Sequence, residues 1–136
     1  MASGLREGWE YGILEDAVTK GSSSISLNKV KDDDGEYPLY GAKGFMQNIS
    51  FFHQDKEYLA IIKDGAGIGR VSQHPKQSSI LGTMQYLIPK NGFHLSFIKY
   101  FLYSIDFNKH RNGSTIPHIY FKDYKSEKFP LLPLQE

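Results

Sequence analysis

The stretch "EYLAIIKDGAGIGRVSQH", residues 57–74, decides how the chain folds. Glu57 to Lys63 is a run of β-forming side chains, glycines follow at 65, 67 and 69, and a β pattern resumes from Arg70 to Gln73 before Pro75 ends it. A glycine-rich turn can cradle a phosphate, but a dinucleotide fingerprint needs G-x-G-x-x-G opening a helix, whose first amides face the anion. Here the spacing is G-x-G-x-G, and "RVSQHP" opens no helix. A Walker loop also requires Lys and Ser/Thr after its last glycine, where this chain has Arg70 and Val71. The stretch therefore predicts an antiparallel hairpin. Its glycines supply positive φ or let another backbone approach, and Lys63 and Arg70 flank its tip.

Working outward, Trp9 to Val18 reads as a strand or short helix with Leu14, Ala17 and Val18 inward, and "TKGSSS" and "KDDDGE" read as loops. "YPLYGAKGF" reads as a short strand broken by a glycine turn. Ser79 to Ile88 is a further strand, with Met84, Tyr86 and Ile88 on one face and Leu87 on the other, closed by Pro89. From Ser96 to about Phe107 the period changes: Ile98, Phe101, Leu102 and Ile105 form the stripe of an amphipathic helix, with Ser96 placed to cap it. Phe107 to Pro117 is a polar loop, and "EKFPLLPLQE" is extended and interrupted by proline. The expected fold is α+β: a single domain with a twisted, mostly antiparallel sheet and a few helices.

Composition bounds the function. A chain of 136 residues with 40% hydrophobic and 14% aromatic side chains can bury enough apolar surface for one domain with its own core. No run approaches the roughly 18 to 20 apolar residues of a membrane span, and no basic start with an apolar core opens the chain. With no cysteine, disulfides, thiolate zinc sites and cysteine nucleophiles are all excluded, and the expected location is cytoplasmic.

The formal net charge of +1 conceals a segregation along the chain. Residues 1–60 carry six Lys/Arg against ten Asp/Glu, and residues 61–136 carry ten against five. Residues 65–105 contain no acidic side chain, yet hold Arg70, Lys76, Lys90 and Lys99 with His74 and His94, which is a candidate face for a polyanion.

Catalytic signatures are missing. The chain has no Asn-Pro-Pro or Asp-Pro-Pro motif of amino-methyltransferases, no G-x-S-x-G elbow and no H-E-x-x-H. Its five histidines do not fall at metal-ligand spacing, so neither a metal nor a cofactor is expected. Asp123-Tyr124-Lys125 matches the Asp-x-Lys half of a nuclease metal site without its upstream Pro-Asp partner, so Asp123 reads as a helix or turn residue. Two alternatives stay open: a small Mg²⁺-dependent nuclease built on Asp123 and Lys125, and a non-DNA module binding a protein or an acidic ligand.

"GWEYGILEDAV", "YPLYGAKGF", "IIKDGAGIGRV", "FIKYFLYSID", "NGSTIPHI" and the terminal "FPLLPLQE" occur in an order that resembles one target-recognition domain of a type I restriction-modification specificity subunit. The resemblance runs from Trp9 to Glu136, and Met1 to Gly8 reads as a leader or tag. It implies a non-catalytic protein that reads one half of a bipartite duplex DNA target. It also implies modification (methyltransferase) and restriction subunits as partners, joined through helical spacers that would follow this chain.

Within that reading, residues divide by chemistry. Lys43, Lys63, Lys76 and Lys109 suit phosphates, which set position and give salt-dependent affinity. Arg70, Gln73, His74, Arg111, Asn112 and Gln47 carry groups suited to base edges in the major groove. The loop "KHRNGSTIPH" concentrates such groups, adding the hydroxyls of Ser114 and Thr115, the ring of His118, and Pro117 to stiffen the exit. Tyr37, Tyr40, Phe45 and Tyr86 read as packing groups, since duplex readout needs no exposed stack.

Overall fold

A computed structural model of the chain describes residues 10–113 and 115–131. Trp9, Ser114 and the terminal "LPLQE" lie outside the described residues. Strand β1 (Glu10–Ile13) pairs antiparallel with β9 (Lys128–Leu131), and a 3-10 turn at Leu14–Asp16 leads into β2 (Val18–Gly21). A hairpin follows, β3 (Tyr37–Gly41) and β4 (Gly44–Ile49), then β5 (Tyr58–Ile62), β6 (Val71–His74), β7 (Ser79–Ile80) and β8 (Met84–Pro89). Helix α1 (Leu95–Tyr103), a 3-10 turn at Phe107–His110 and the single turn α2 (Phe121–Tyr124) complete the order before β9.

The α+β reading holds, with the strands divided among three sheets. One contains β2-β8-β5-β6, all antiparallel; a second contains β4-β3-β7, where β3 and β7 run parallel; the third is β1-β9. Strand β5 is central, which explains why "YLAII" shows no polar alternation: all five residues are buried. On one face Leu59 and Ile61 pack with Val18, Val71, Leu87, Ile98, Leu102, Phe107 and Phe129. On the other, Tyr58, Ala60 and Ile62 pack with Ile80, Met84 and Tyr86.

Local expectations meet tertiary packing at three places. "TKGSSS" was expected as loop, but Val18–Gly21 is a strand, because Val18 is buried and the backbone pairs with β8. The strand expected over Ser79–Ile88 breaks in two at Gly82, whose N–H donates to Ile25 O at 2.9 Å and whose missing Cβ would stand 3.0 Å from Ser23 O. Helix α1 starts at Leu95 with His94 as its cap residue, so Ser96 lies inside the first turn and does not cap it. Leu95 packs on the core beside Phe93, which pulls the helix start forward.

Candidate nucleic-acid interface

The predicted hairpin is present, with β5 and β6 antiparallel and residues 63–70 forming its loop. Gly65 and Gly69 have φ of +98° and +89°. The loop is stitched to the segment after α1. Gly65 N–H donates to Pro117 O at 2.9 Å and Ile119 N–H to Lys63 O at 2.9 Å, while Asn112 and His118 exchange both backbone bonds at 2.8 Å. A Cβ on Gly69 would lie 2.8 Å from Phe107 Cβ, so the tip seats directly on that ring. The glycines therefore permit close approach of a second loop.

Asp64 fastens the two loops. Its carboxylate accepts from Lys63 Nζ at 3.0 Å and from His118 Nδ1 at 2.7 Å. Partial burial opposes ionisation of Asp64, but the hydrogen bonds from His118 and Lys63 and the charge of Lys63 outweigh it and hold the carboxyl below its ordinary range. A neighbouring cluster is built alike: Glu127 accepts from His110 Nε2 at 2.6 Å and pairs with Lys109 Nζ at 2.9 Å. There too the two partners outweigh desolvation and depress the carboxyl.

The structure thus gathers Lys63, Arg70, Lys109, Arg111, Asn112, Thr115 and His118 around one tip, with Ser114 outside the described residues. Their freedom differs. Asn112 Nδ2 is drawn to His110 O at 3.2 Å and Asp123 Oδ2 at 3.4 Å. Arg70 and Arg111 are exposed and, among the described residues, make no side-chain hydrogen bond or ion pair. Arg111 borders a hollow with Gly65, Ala66, Thr115 and Pro117.

The remaining candidates lie elsewhere. Lys76 follows the end of β6 remote from Arg70, exposed beside Asp55 and Glu57, and Lys43 is exposed in the β3–β4 turn. Gln73 bridges Glu57 Oε2 at 2.7 Å and Lys99 Nζ at 2.9 Å. Gln47 Nε2 donates to Val30 O at 2.7 Å and Asp33 O at 3.3 Å, so its amide braces the acidic loop and is not presented to a groove. His74 also requires correction. Successive strand residues face opposite sides of a sheet, so Gln73 points out while His74 is 6% exposed, tilted against the rings of Tyr40 and Tyr58 and bonded to Ser72 Oγ at 2.7 Å. Of the four aromatics read as packing groups, Tyr86 is buried, whereas Phe45 is 58% exposed.

Burial pushes the His74 imidazole down to about 4, from 6.5. The unfolded chain then binds more protons between these values, so stability falls as pH drops from about 6.5 toward 4 and the loss is complete below 4. The expected size is about 3 kcal/mol. Urea melts across this window should show the slope in the wild type and a much flatter one in His74→Phe, which retains the ring; identical slopes would refute the assignment. His53, also lowered by desolvation, adds in the same direction.

The carboxylate–lysine pair of the nuclease alternative is not assembled. Asp123 accepts from Lys122 Nζ at 3.1 Å, and Lys125 Nζ lies 3.6 Å from Glu15. Among the described residues no three His, Asp or Glu side chains are placed to hold a metal. Four lysines collect beside the tip, Lys20, Lys90, Lys122 and Lys125; of these, sequence reasoning had placed only Lys90 on a cationic face and had not joined it to the others. They are scattered over segments whose local charge balance differs, so counting by stretch could not unite them. The Lys122/Lys125 spacing was the one available signal.

A family profile described as "Type I restriction modification DNA specificity domain" matches residues 6–136. No curated protein matches the chain in sequence. Among solved structures, the chain is similar to a type I restriction-modification system S subunit from M. genitalium, with TM-score 0.72 and 18% identity, covering 95% of this chain and 36% of that one. It is also similar to a chain from a study of complex assembly and conformational transition of the type I R-M system (TM-score 0.72, 17% identity, 98% and 36% covered). An HsdS subunit from Thermoanaerobacter tengcongensis gives 0.69 and 16%, with 98% and 35% covered. These likenesses establish the fold, and the chain spans about a third of each of those proteins. Among the described residues no helix is long and apolar enough to cross a membrane.

Proposed function

Because the chain belongs to the type I restriction modification DNA specificity domain family, we propose that it is a target-recognition domain that reads one half of a bipartite duplex DNA sequence. The observation that carries this reading is the braced tip. Asp64 holds the glycine hairpin against the 112–118 loop, and Arg70 and Arg111 stand beside that junction with uncommitted guanidinium groups. Base readout needs such rigidity, since a bidentate Arg–guanine contact tolerates little misplacement. The tip residues already engaged with carboxylates, Lys63, His118 and Lys109, serve as scaffold first and can meet phosphates only in competition with those partners. Methylation and cleavage belong in this reading to partner subunits, docked through helical spacers, and the assembly is cytoplasmic.

The test begins by selecting bound duplexes from a random pool, with the domain fused to its spacer helices and methyltransferase partner. Arg111→Ala should then weaken binding to the selected half-site by about 1 to 3 kcal/mol, with a smaller change on random duplexes. Equal losses on both would reject base reading by Arg111. Failure of any sequence to enrich would reject the function.

A further inference from the structure

We propose that a lysine-lined cleft beside the tip, between the edge strand β2 and helix α2, holds the phosphodiester backbone of the DNA that flanks the base pairs read at the tip. This proposal rests on the DNA-reading function above and adds a second surface to it.

The cleft arises where the core face of the four-stranded sheet turns polar. Val18 on β2, Leu87 on β8 and Ile61 on β5 are buried on that face. Two residues further along the same face stand Lys20, Gln85 and Lys63. Phe121 and Ile119 cover the apolar part and stop there, leaving two adjoining hollows that share Lys20, Phe121 and Lys122. Together they are lined by five lysines, Lys20, Lys63, Lys90, Lys122 and Lys125, against one acid, Glu15.

Pairing does not cancel this charge. Asp64 takes Lys63, Asp123 takes Lys122 and Glu15 stands 3.6 Å from Lys125, while Lys20 and Lys90 have no carboxylate partner among the described residues. The pairs of Lys122 and Lys125 are the more open to water, where ion pairs are worth little, so a phosphate can replace their carboxylates at small cost while Lys63 stays with Asp64. Phosphate is favoured over an acidic protein by what the hollows lack. Phe121 at their junction is 7% exposed, and Tyr120, which lines one hollow and is 44% exposed, carries Lys122 Nζ over its ring at 5.5 Å, so neither ring forms the bare apolar centre of a protein interface. A wet, strongly positive and polar surface is the character of a DNA interface. Position agrees, because Lys63 lines the cleft and also belongs to the hairpin tip, so a duplex seated on the tip continues into the cleft.

The test is the salt dependence of binding to a short random-sequence DNA duplex, compared for the wild type, the triple variant Lys20→Gln/Lys90→Gln/Lys122→Gln and the tip variant Arg70→Gln/Arg111→Gln. All three replaced lysines are exposed, so the triple variant should fold. Each lost phosphate contact lowers the slope of log K against log salt by about 0.9, so the triple variant should lose up to about 2.7, with equal loss of affinity on selected and random duplexes. A triple variant with the wild-type slope, alongside a weakened tip variant, overturns the cleft and leaves the DNA reading standing. Wild-type protein without salt-dependent binding to any duplex overturns both. Acetylation of the wild-type protein gives an independent readout: duplex should shield Lys20, Lys90 and Lys122 but not the exposed Lys31 of the acidic loop, and equal labelling with and without DNA counts against the cleft.

Discussion

Phe129→Ala should destabilise the domain by about 3 to 5 kcal/mol, a large share of the roughly 5 to 15 kcal/mol that holds a small domain together. Phe129 is fully buried, and its ring meets the edges of Phe93, Phe97 and Phe101 at centroid distances of 6.0, 5.7 and 4.6 Å. It sits on β9, whose pairing with β1 joins the two ends of the described chain, and it touches the aromatic side of α1. Removing the ring therefore opens a cavity between helix and strand that neither can fill alone. A urea melt should show a lower midpoint with little change in slope. A loss under 1 kcal/mol would mean that the four rings do not form a closed cluster.

Gly69→Val should cost about 4 kcal/mol, combining backbone strain at a φ of +89° with a clash on Phe107. Neither Phe107 nor the tip can yield freely, because Phe107 is itself buried in the main core. The useful comparison is Gly65→Ala, where φ is +98° but nothing lies within 4 Å of the added Cβ. That variant incurs strain alone, about 1 to 2 kcal/mol. In the DNA-reading function, Gly69→Val should also abolish half-site preference in whatever fraction remains folded, since it lifts the tip off its seat. Equal destabilisation by the two variants would show that conformation alone, and not loop docking, selects glycine at 69.

Much of this protein was legible without coordinates. The hairpin at 57–74 followed from a β run, a glycine turn and a second β run bounded by proline, all local features. The amphipathic stripe of α1 was equally local, and Ile98 and Leu102 are buried as its period requires. The commitments of Gln47 and His74 and the grouping of the cleft lysines were not legible. A histidine in a short polar stretch looks the same whether its strand face is open or covered, and here Tyr40 and Tyr58 cover it. Gln47 carries a groove-reading amide by type, yet that amide is spent on the carbonyls of Val30 and Asp33.

By itself the sequence determined the central hairpin and helix α1, the absence of catalytic motifs and the order of motifs that marks the family, because each depends on residues near one another in the chain. Tertiary structure alone decided which polar side chains stay available. Asp64 meets His118, Glu127 meets His110, and Lys20 joins Lys122 only after the sheet has formed and the late segments have folded back over it. A charge acts through its neighbours in space, and those neighbours are set by long-range packing that no local window contains.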